Sequence, residues 1–598
     1  MLNAIRQIFS ILLPHQRKQF YILQLLVILM AFTELVGIAS IAPFMAVVGD
    51  IGLLDKPGIF SQIYQWSGLK EPMDFLFICG LIVLFLLTVS TTISMFTIWR
   101  LSLYGSIVGT EISDRLYEYY MGKDWLFHSS ESSAVLTKKI STEAVRVSDS
   151  IIQPLMLMNS KVILAIFISI SIFVYDPIVA ITGGGIFFTA YFFLYRIVRK
   201  QLSVNGNKVS NILTDRFRLM NEGFGGIKDI ILLNRYNEYI LEFKKGGKEI
   251  SYAKGTNSAI SQVPRYFIEL TAFGAMIILV LLLIKLYQGD LGSVLPVLGV
   301  YALAAFKLLP ALQQIYSSAT QIKGSLAAFE VIKEDLVQSL KDERLMMIST
   351  GKSYSPKNKI VLKDISFQYP GKESHVLNEL DMVFPVNNVI GIVGSSGSGK
   401  STTIDILIGL LTPNSGRLMI DELEITENNK YKWQKAIGFV PQSIYLSEGT
   451  IAENVAFGLP SSEINLNQVN KALALAHLTE LVEQLPNGVN TYVGERGVKL
   501  SGGQRQRIGI ARALYHEADV LIFDEATSAL DGITEKIIME AIHDFGGKKT
   551  IIMIAHRLKT VQKCDIIYLM DKGKVIDEGN YEELLHRNIM FKEMAKHA

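Results

Sequence analysis

Six runs of mostly apolar residues fill the first 314 positions of this 598-residue chain, near 20–48, 74–99, 151–174, 178–198, 266–287 and 291–314, and no comparable run follows. A bilayer core takes about 20 apolar residues per helix. A water-soluble unit of this size could not cover so much apolar surface. The expected fold is therefore an α-helical six-span transmembrane domain over 1–325, a charged linker over 326–358, and an α/β domain over 359–598. Little more than Asp176-Pro177 joins the third and fourth runs, which fits a tight turn.

Charge sets the expected orientation. Arg6, Arg17 and Lys18 precede the first run; Arg100, Arg115, Lys123, Lys138, Lys139 and Arg146 lie between the second and third. The stretch 196–265 is more basic still, whereas the opposite loops carry few cations beyond Lys56, Lys70 and Lys285. Positive loops stay inside, so both termini and the α/β domain are expected in the cytosol of a multi-pass inner-membrane protein. The first run is long and is followed by others, unlike a cleaved signal peptide. Formal net charge is only +2, with no basic stripe, which argues against a nucleic-acid partner. Cys79 and Cys564 fall in different domains and have no metal-ligand spacing around them.

The α/β half carries its chemistry in motifs. Gly394, Ser395, Gly397, Ser398, Gly399, Lys400 and Ser401 belong to Gly-Ser-Ser-Gly-Ser-Gly-Lys-Ser, a Walker A loop between a strand-like run (Val389–Val393) and a helix-like run that begins at Thr402. Its glycines let backbone N–H groups face phosphate oxygens at a helix N-terminus. Lys400 is expected at the β/γ-phosphates and Ser401 on Mg²⁺. Asp519–Glu525 is an apolar strand ending in two carboxylates. Asp524 suits Mg²⁺, a hard cation, and Glu525 suits the orientation or deprotonation of an attacking water.

Further elements follow in a fixed order: Tyr369 before Pro-Gly, Gln442 in Val-Pro-Gln, Gly494–Gly497, Leu500-Ser501-Gly502-Gly503-Gln504, Ser528–Asp531 and the strand-like run ending in His556. From about Lys359 onward the chain resembles the nucleotide-binding domain of ABC transporters of the exporter type. The resemblance implies ATP and Mg²⁺ as cofactors, Tyr369 stacked on adenine, and Gln442 sensing Mg²⁺ and the γ-phosphate. It makes Glu525 and His556 the catalytic pair. It also implies that Leu500–Gln504 close on the nucleotide of a partner domain. One such domain per chain then requires a dimer, and a homodimer is the commonest symmetric solution, with a heterodimer as the alternative. Short coupling helices are expected near Thr110–Trp125 and Val209–Asn221.

Charges inside apolar runs mark function because they are costly there. Glu34, Arg265, Glu269 and Lys307 are the four to note. Arg265 and Glu269, spaced i,i+4, can pair on one helix face, and Lys307 can snorkel to a headgroup. The other reading makes Arg265, Lys307 and Glu34 substrate residues in an inner cavity. Between the first two runs, Ile59, Phe60, Ile63 and Trp66 share one apolar helical face, the pattern of an interfacial helix. Thr33-Glu34, Ala42-Pro43-Phe44, Val263-Pro264-Arg265 and Leu308-Leu309-Pro310 extend the resemblance, over nearly the whole length, to PglK-type lipid-linked oligosaccharide flippases. That implies ATP-driven flipping of a polyprenyl-pyrophosphate glycan, with pyrophosphate contacts at Arg265 and Lys307. The family's basic residue in the second span is replaced here by the polar region around Thr88. Export of another glycolipid, a drug or a peptide, or a nucleotide-gated protein that does not pump, are the alternatives.

Overall fold

A computed structural model describes residues 2–596 apart from 50, 176, 287–290, 342–352, 526–531, 533–534, 537–538, 541–546 and 556. The chain divides into two compact units, one formed by Met1–Lys123 with His128–Met346, the other by Asp124–Phe127 with Met347–Ala598.

The first unit is helical. Its helices, with α5 straddling the two units, are α1 (Leu2–Ile11), α2 (Pro14–Gly49), α3 (Ile59–Ser67), α4 (Pro72–Met121), α5 (Trp125–Ser130), α6 (Ser133–Lys138), α7 (Ala144–Val147), α8 (Gln153–Tyr175), α9 (Pro177–Gly225), α10 (Ile227–Leu232), α11 (Tyr236–Gln262), α12 (Pro264–Leu286) and α13 (Leu291–Ser339). Each expected apolar run falls on a long helix. Among the described residues, three stretches are long and apolar enough to cross a membrane: Pro14–Gly49, Pro72–Met121 and Ser133–Val174. Their apolar side chains point outward, as Leu25, Phe77 and Phe85 do, because such a surface is matched to lipid rather than water.

The helices extend well beyond their apolar runs. Both segments expected as short coupling helices lie mostly inside long ones, α4 and α9. The separate short helices come slightly later, after breaks at Gly122 and Gly226, as α5 and α10. The expected linker is also corrected in its first part: residues 326–339 continue α13. Its conspicuous charges hide a stripe at i, i+3 and i+7, and Phe329, Ile332 and Leu336 are buried. On the same helix, Asp335 accepts hydrogen bonds from Tyr120 (2.6 Å) and Lys139 (2.8 Å).

The second unit holds two sheets. An antiparallel one runs β2-β1-β4-β5, from β1 (Lys359–Phe367), β2 (Leu377–Pro385), β4 (Ser415–Ile420) and β5 (Leu423–Glu424). The larger runs β10-β9-β3-β8-β7-β6, with β3 (Val389–Gly394), β6 (Ile437–Val440), β7 (Val520–Asp524), β8 (Thr550–Ile554), β9 (Ile566–Asp571) and β10 (Lys574–Gly579). All its pairs are parallel except β9 with β10. Strands covered on both faces read as unbroken apolar runs, and β3 and β8 are buried throughout. Ligands in such sheets bind beyond the carboxyl ends of the strands. The ends of β3 and β7 carry the motif residues.

Candidate functional site

The loop after β3 is shaped by glycine. Gly399 adopts φ +100°, and a Cβ there would lie 2.6 Å from Leu377; one on Gly394 would lie 2.2 Å from the Met570 carbonyl oxygen. No larger residue fits either place. Helix α14 (Lys400–Leu407) starts directly after it, so the first-turn N–H groups open onto the loop. Lys400 is buried and donates from Nζ to the carbonyl oxygens of Gly394 (3.0 Å) and Ser395 (2.9 Å). Burial lowers its pKa, while the carboxylates of Glu525 and Asp524 push the other way. The Ser398 hydroxyl is buried with no hydrogen-bond partner, which is costly unless a ligand supplies one. Ser401 is exposed beside it. Thr402 Oγ1 lies 3.3 Å from the Tyr369 hydroxyl, and the Tyr369 ring stands edge-on to Phe367 at 5.0 Å.

Across the sheet, Asp524 ends β7 opposite Ile554. Glu525 follows in the left-handed region, φ +50°, with its N–H donating to the Ile554 carbonyl at 3.2 Å. A non-glycine residue in that region is uncommon, and such strain clusters at functional sites. The turn separates the two neighbouring carboxylates. Gln442 Nε2 donates to Glu525 Oε2 at 2.7 Å, which leaves the amide oxygen of Gln442 as an acceptor for a cation. The structure thus brings Gln442 together with Glu525, 83 positions apart in sequence. His556 lies outside the described residues.

Leu500–Gln504 form a helix cap rather than part of this loop. Ser501 precedes the helix Gly502–Tyr515 as its N-cap, with reciprocal bonds to Gln504 (Ser501 N–H to Oε1, 2.8 Å; Gln504 N–H to Ser501 Oγ, 3.2 Å). Ser501 is exposed.

Two neighbours escaped the sequence reading. Asp405, on α14, is pushed up to about 6 by burial and by Asp524. Its signal was a lone carboxylate inside the otherwise apolar turn Ile404–Leu407. Gln506, buried on the helix Gly502–Tyr515, lies 3.5 Å from the Glu525 carbonyl oxygen through its Nε2.

The residues present fit a magnesium nucleotide. The loop offers N–H groups, a desolvated ammonium and an unpartnered hydroxyl. Ser401, Gln442 and Asp524 offer only oxygens, the donors Mg²⁺ prefers. Among the described residues no three His, Cys, Asp or Glu side chains gather to hold a metal. A cation here would therefore rely on phosphate oxygens as well.

In the helical unit, Arg265 donates from Nε to Glu269 Oε1, and Lys307 Nζ lies 3.7 Å from Glu34 Oε2. Glu34 is buried and also accepts from Ser94 Oγ at 2.7 Å. Arg265 and Lys307 keep 51% and 44% of their side chains exposed. The Thr88 hydroxyl is spent on its own helix, at the Leu84 carbonyl. On α3 the expected single apolar face is split. Ile59, Ile63 and Trp66 are exposed, but Phe60 turns with Tyr64 onto Val47, Leu54 and Phe75.

Fold and loop together define a P-loop nucleotide-binding protein joined to a membrane-spanning helical unit. A family profile described as ABC transporter matches residues 377–528. The ATP-dependent lipid A-core flippase of Ralstonia nicotianae is 30% identical over 67% of this chain and 67% of its own length. The protein of the same description from Pseudoalteromonas translucida is 28% identical over 94% of this chain and 96% of its own. Two further relatives are matched over only 20% and 62% of their length. A solved bacterial Atm1-family ABC exporter with ATP bound superposes with a TM-score of 0.77 at 20% identity, over 97% of this chain and 98% of that one. This chain belongs to the ABC transporter family.

Proposed function

We propose that two copies of this chain form an ATP-driven flippase that turns a polyprenyl-pyrophosphate-linked oligosaccharide from the cytoplasmic to the outer leaflet of a bacterial-type inner membrane. Six spans per chain would line the path, with both termini and the ATPase unit (359–598) in the cytosol. In the ATPase unit, Lys400, Ser398 and the loop N–H groups would hold phosphates, and Tyr369 would take the adenine. Ser401, Gln442 and Asp524 would hold Mg²⁺, which supplies charge neutralisation on phosphate oxygens. Glu525 would orient and deprotonate water, held in place by its bond to Gln442, and His556 would contact the γ-phosphate. The exposed Ser501 at a helix N-terminus supports the view that Leu500–Gln504 serve the partner's nucleotide.

The observation that carries the cargo is the pairing of Lys307 with the buried Glu34. The pair keeps a half-exposed cation within an apolar run, and a phosphate group can compete with the carboxylate for it. Arg265 stands likewise beside Glu269. An apolar drug would need neither cation. The exposed Ile59, Ile63 and Trp66 offer an apolar patch for a lipid chain. Export of another glycolipid is the second reading, favoured by relatives that are named lipid A-core flippases.

The test is ATP-dependent movement of a polyprenyl-pyrophosphate oligosaccharide in proteoliposomes, with Arg265→Ala and Glu525→Gln alongside. Movement by the parent, lost in both variants, is the expected result. A parent that hydrolyses ATP yet leaves this lipid in place, while moving lipid A-core, would establish the second reading instead.

A further inference from the structure

Just beyond the apolar runs, the helical unit forms an open pocket of about 410 Å³ whose chemistry differs from the rest of that unit. Its volume falls in the range of small-molecule sites, about 300–1,000 Å³. All but Val209 and Gly324 of its thirteen lining residues carry a hydroxyl, an amide or a cation, and none carries a carboxylate. Two stripes face one another at helical spacing: Lys254, Ser258 and Gln262 on α11, and Ser317, Gln321 and Ser325 on α13.

This chamber is built rather than incidental. A Cβ on Gly206 would lie 2.3 Å from the Gly324 carbonyl oxygen, so α9 and α13 touch backbone to backbone at its wall. Asn205 Nδ2 donates to Asn257 Oδ1 (2.8 Å), which fastens α9 to α11. Arg146, also on the lining, is held by Glu143 at 2.7 Å and Ser210 Oγ at 2.9 Å. Lys254 has no ion pair among the described residues.

We infer that this chamber binds the oligosaccharide head of the cargo through hydrogen bonds to sugar hydroxyls, a step that rests on the flippase reading above. Hydroxyl and amide side chains both donate and accept, which matches sugar hydroxyls that do the same. A drug would want apolar walls. A phosphate would want several free cations, and one of the two here is already neutralised by Glu143. The spacing agrees. Ser317 lies ten residues after Lys307 on α13, about 15 Å along the axis at 1.5 Å per residue. A pyrophosphate at Lys307 would therefore leave its first sugars level with the chamber.

The experiment uses the full chain in detergent and in liposomes, comparing the parent with Ser258→Ala/Gln321→Ala. In detergent, chitopentaose is the soluble probe, read by saturation-transfer NMR and calorimetry. The parent is expected to bind it saturably, and the double variant at least tenfold more weakly. Arg265→Ala is expected to bind it as the parent does. In liposomes, the double variant is expected to move bare undecaprenyl pyrophosphate like the parent but its chitopentaose-linked form at least tenfold more slowly. Absence of saturable sugar binding by the parent, or equal affinity in the double variant, overturns the chamber. A parent that does move the glycan-linked lipid, but no faster than the variant does, also overturns it, with the flippase reading intact. Sugar binding lost in the variant, combined with no movement of either lipid by the parent, leaves the chamber standing and removes the flippase reading.

Discussion

The two units solve the burial problem differently. In the ATPase unit the largest side chains go inside: Trp433, Phe384 and Phe591 are fully buried, and the Trp433 Nε1–H finds the Leu407 carbonyl at 2.7 Å. The helical unit also buries large apolar side chains such as Phe329 and Met30, but it turns others such as Leu25, Phe85 and Phe188 outward and buries the ionic groups of Glu34, Lys138 and Glu143. Glu143 is wholly buried, 3.1 Å from Lys138 Nζ and 2.7 Å from Arg146 Nη1, and Lys138 also donates to Thr214 (2.7 Å). The cluster sits where the stretch from Ser133 to Tyr175 twice adopts π-helical geometry, at Lys139–Glu143 and Ser148–Ile152, a distortion frequent at functional sites.

The sharpest way to separate the units is chemical. Glu525→Gln should lower ATP hydrolysis by about 10²-fold or more, the usual worth of a general base, while nucleotide binding persists by equilibrium dialysis. A fall of less than tenfold would move the base elsewhere. Next in size, Glu143→Gln leaves two cations in a buried cluster without their anion. It should cost on the order of 3 kcal/mol, seen as a lower unfolding midpoint of the full chain. By contrast, Glu424→Gln breaks the exposed pair with Arg417 and should cost less than about 1 kcal/mol. If the two variants proved equal, burial would not be what separates the units.

Gly206→Ala should destabilise by about 1–3 kcal/mol, because backbone rather than a flexible side chain blocks the added carbon. Thermal unfolding with and without chitopentaose measures both this and the loss of the chamber wall. The smallest effect concerns Cys564, whose thiol is pushed up to about 12 by burial and by Asp565. The folded state holds the proton, so the thiolate stays scarce until the pH passes that value. Maleimide labelling of Cys564 at pH 8 should be negligible until the chain unfolds, and rapid labelling of the native protein would contradict the burial.

What the sequence determined by itself was whatever is written in contiguous residues. The loop Gly394–Ser401, the strand ending in Asp524 and Glu525, and the capping pattern Ser501–Gln504 are local, since each needs only a short peptide with a set backbone. The long helices were legible because apolar runs of bilayer length have few other fates. What lay beyond reading were juxtapositions between distant segments. Gln442 meeting Glu525, Lys307 meeting Glu34, and the amphipathic continuation of α13 under a charged exterior all depend on which faces turn inward. The facing stripes of α11 and α13 belong to the same class. In sequence they are two unremarked polar stretches some sixty residues apart. The approach of Gly206 on α9 to Gly324 on α13, together with the bond from Asn205 to Asn257 on α11, makes them one chamber, because contact between helices is decided by packing and not by the composition of either segment.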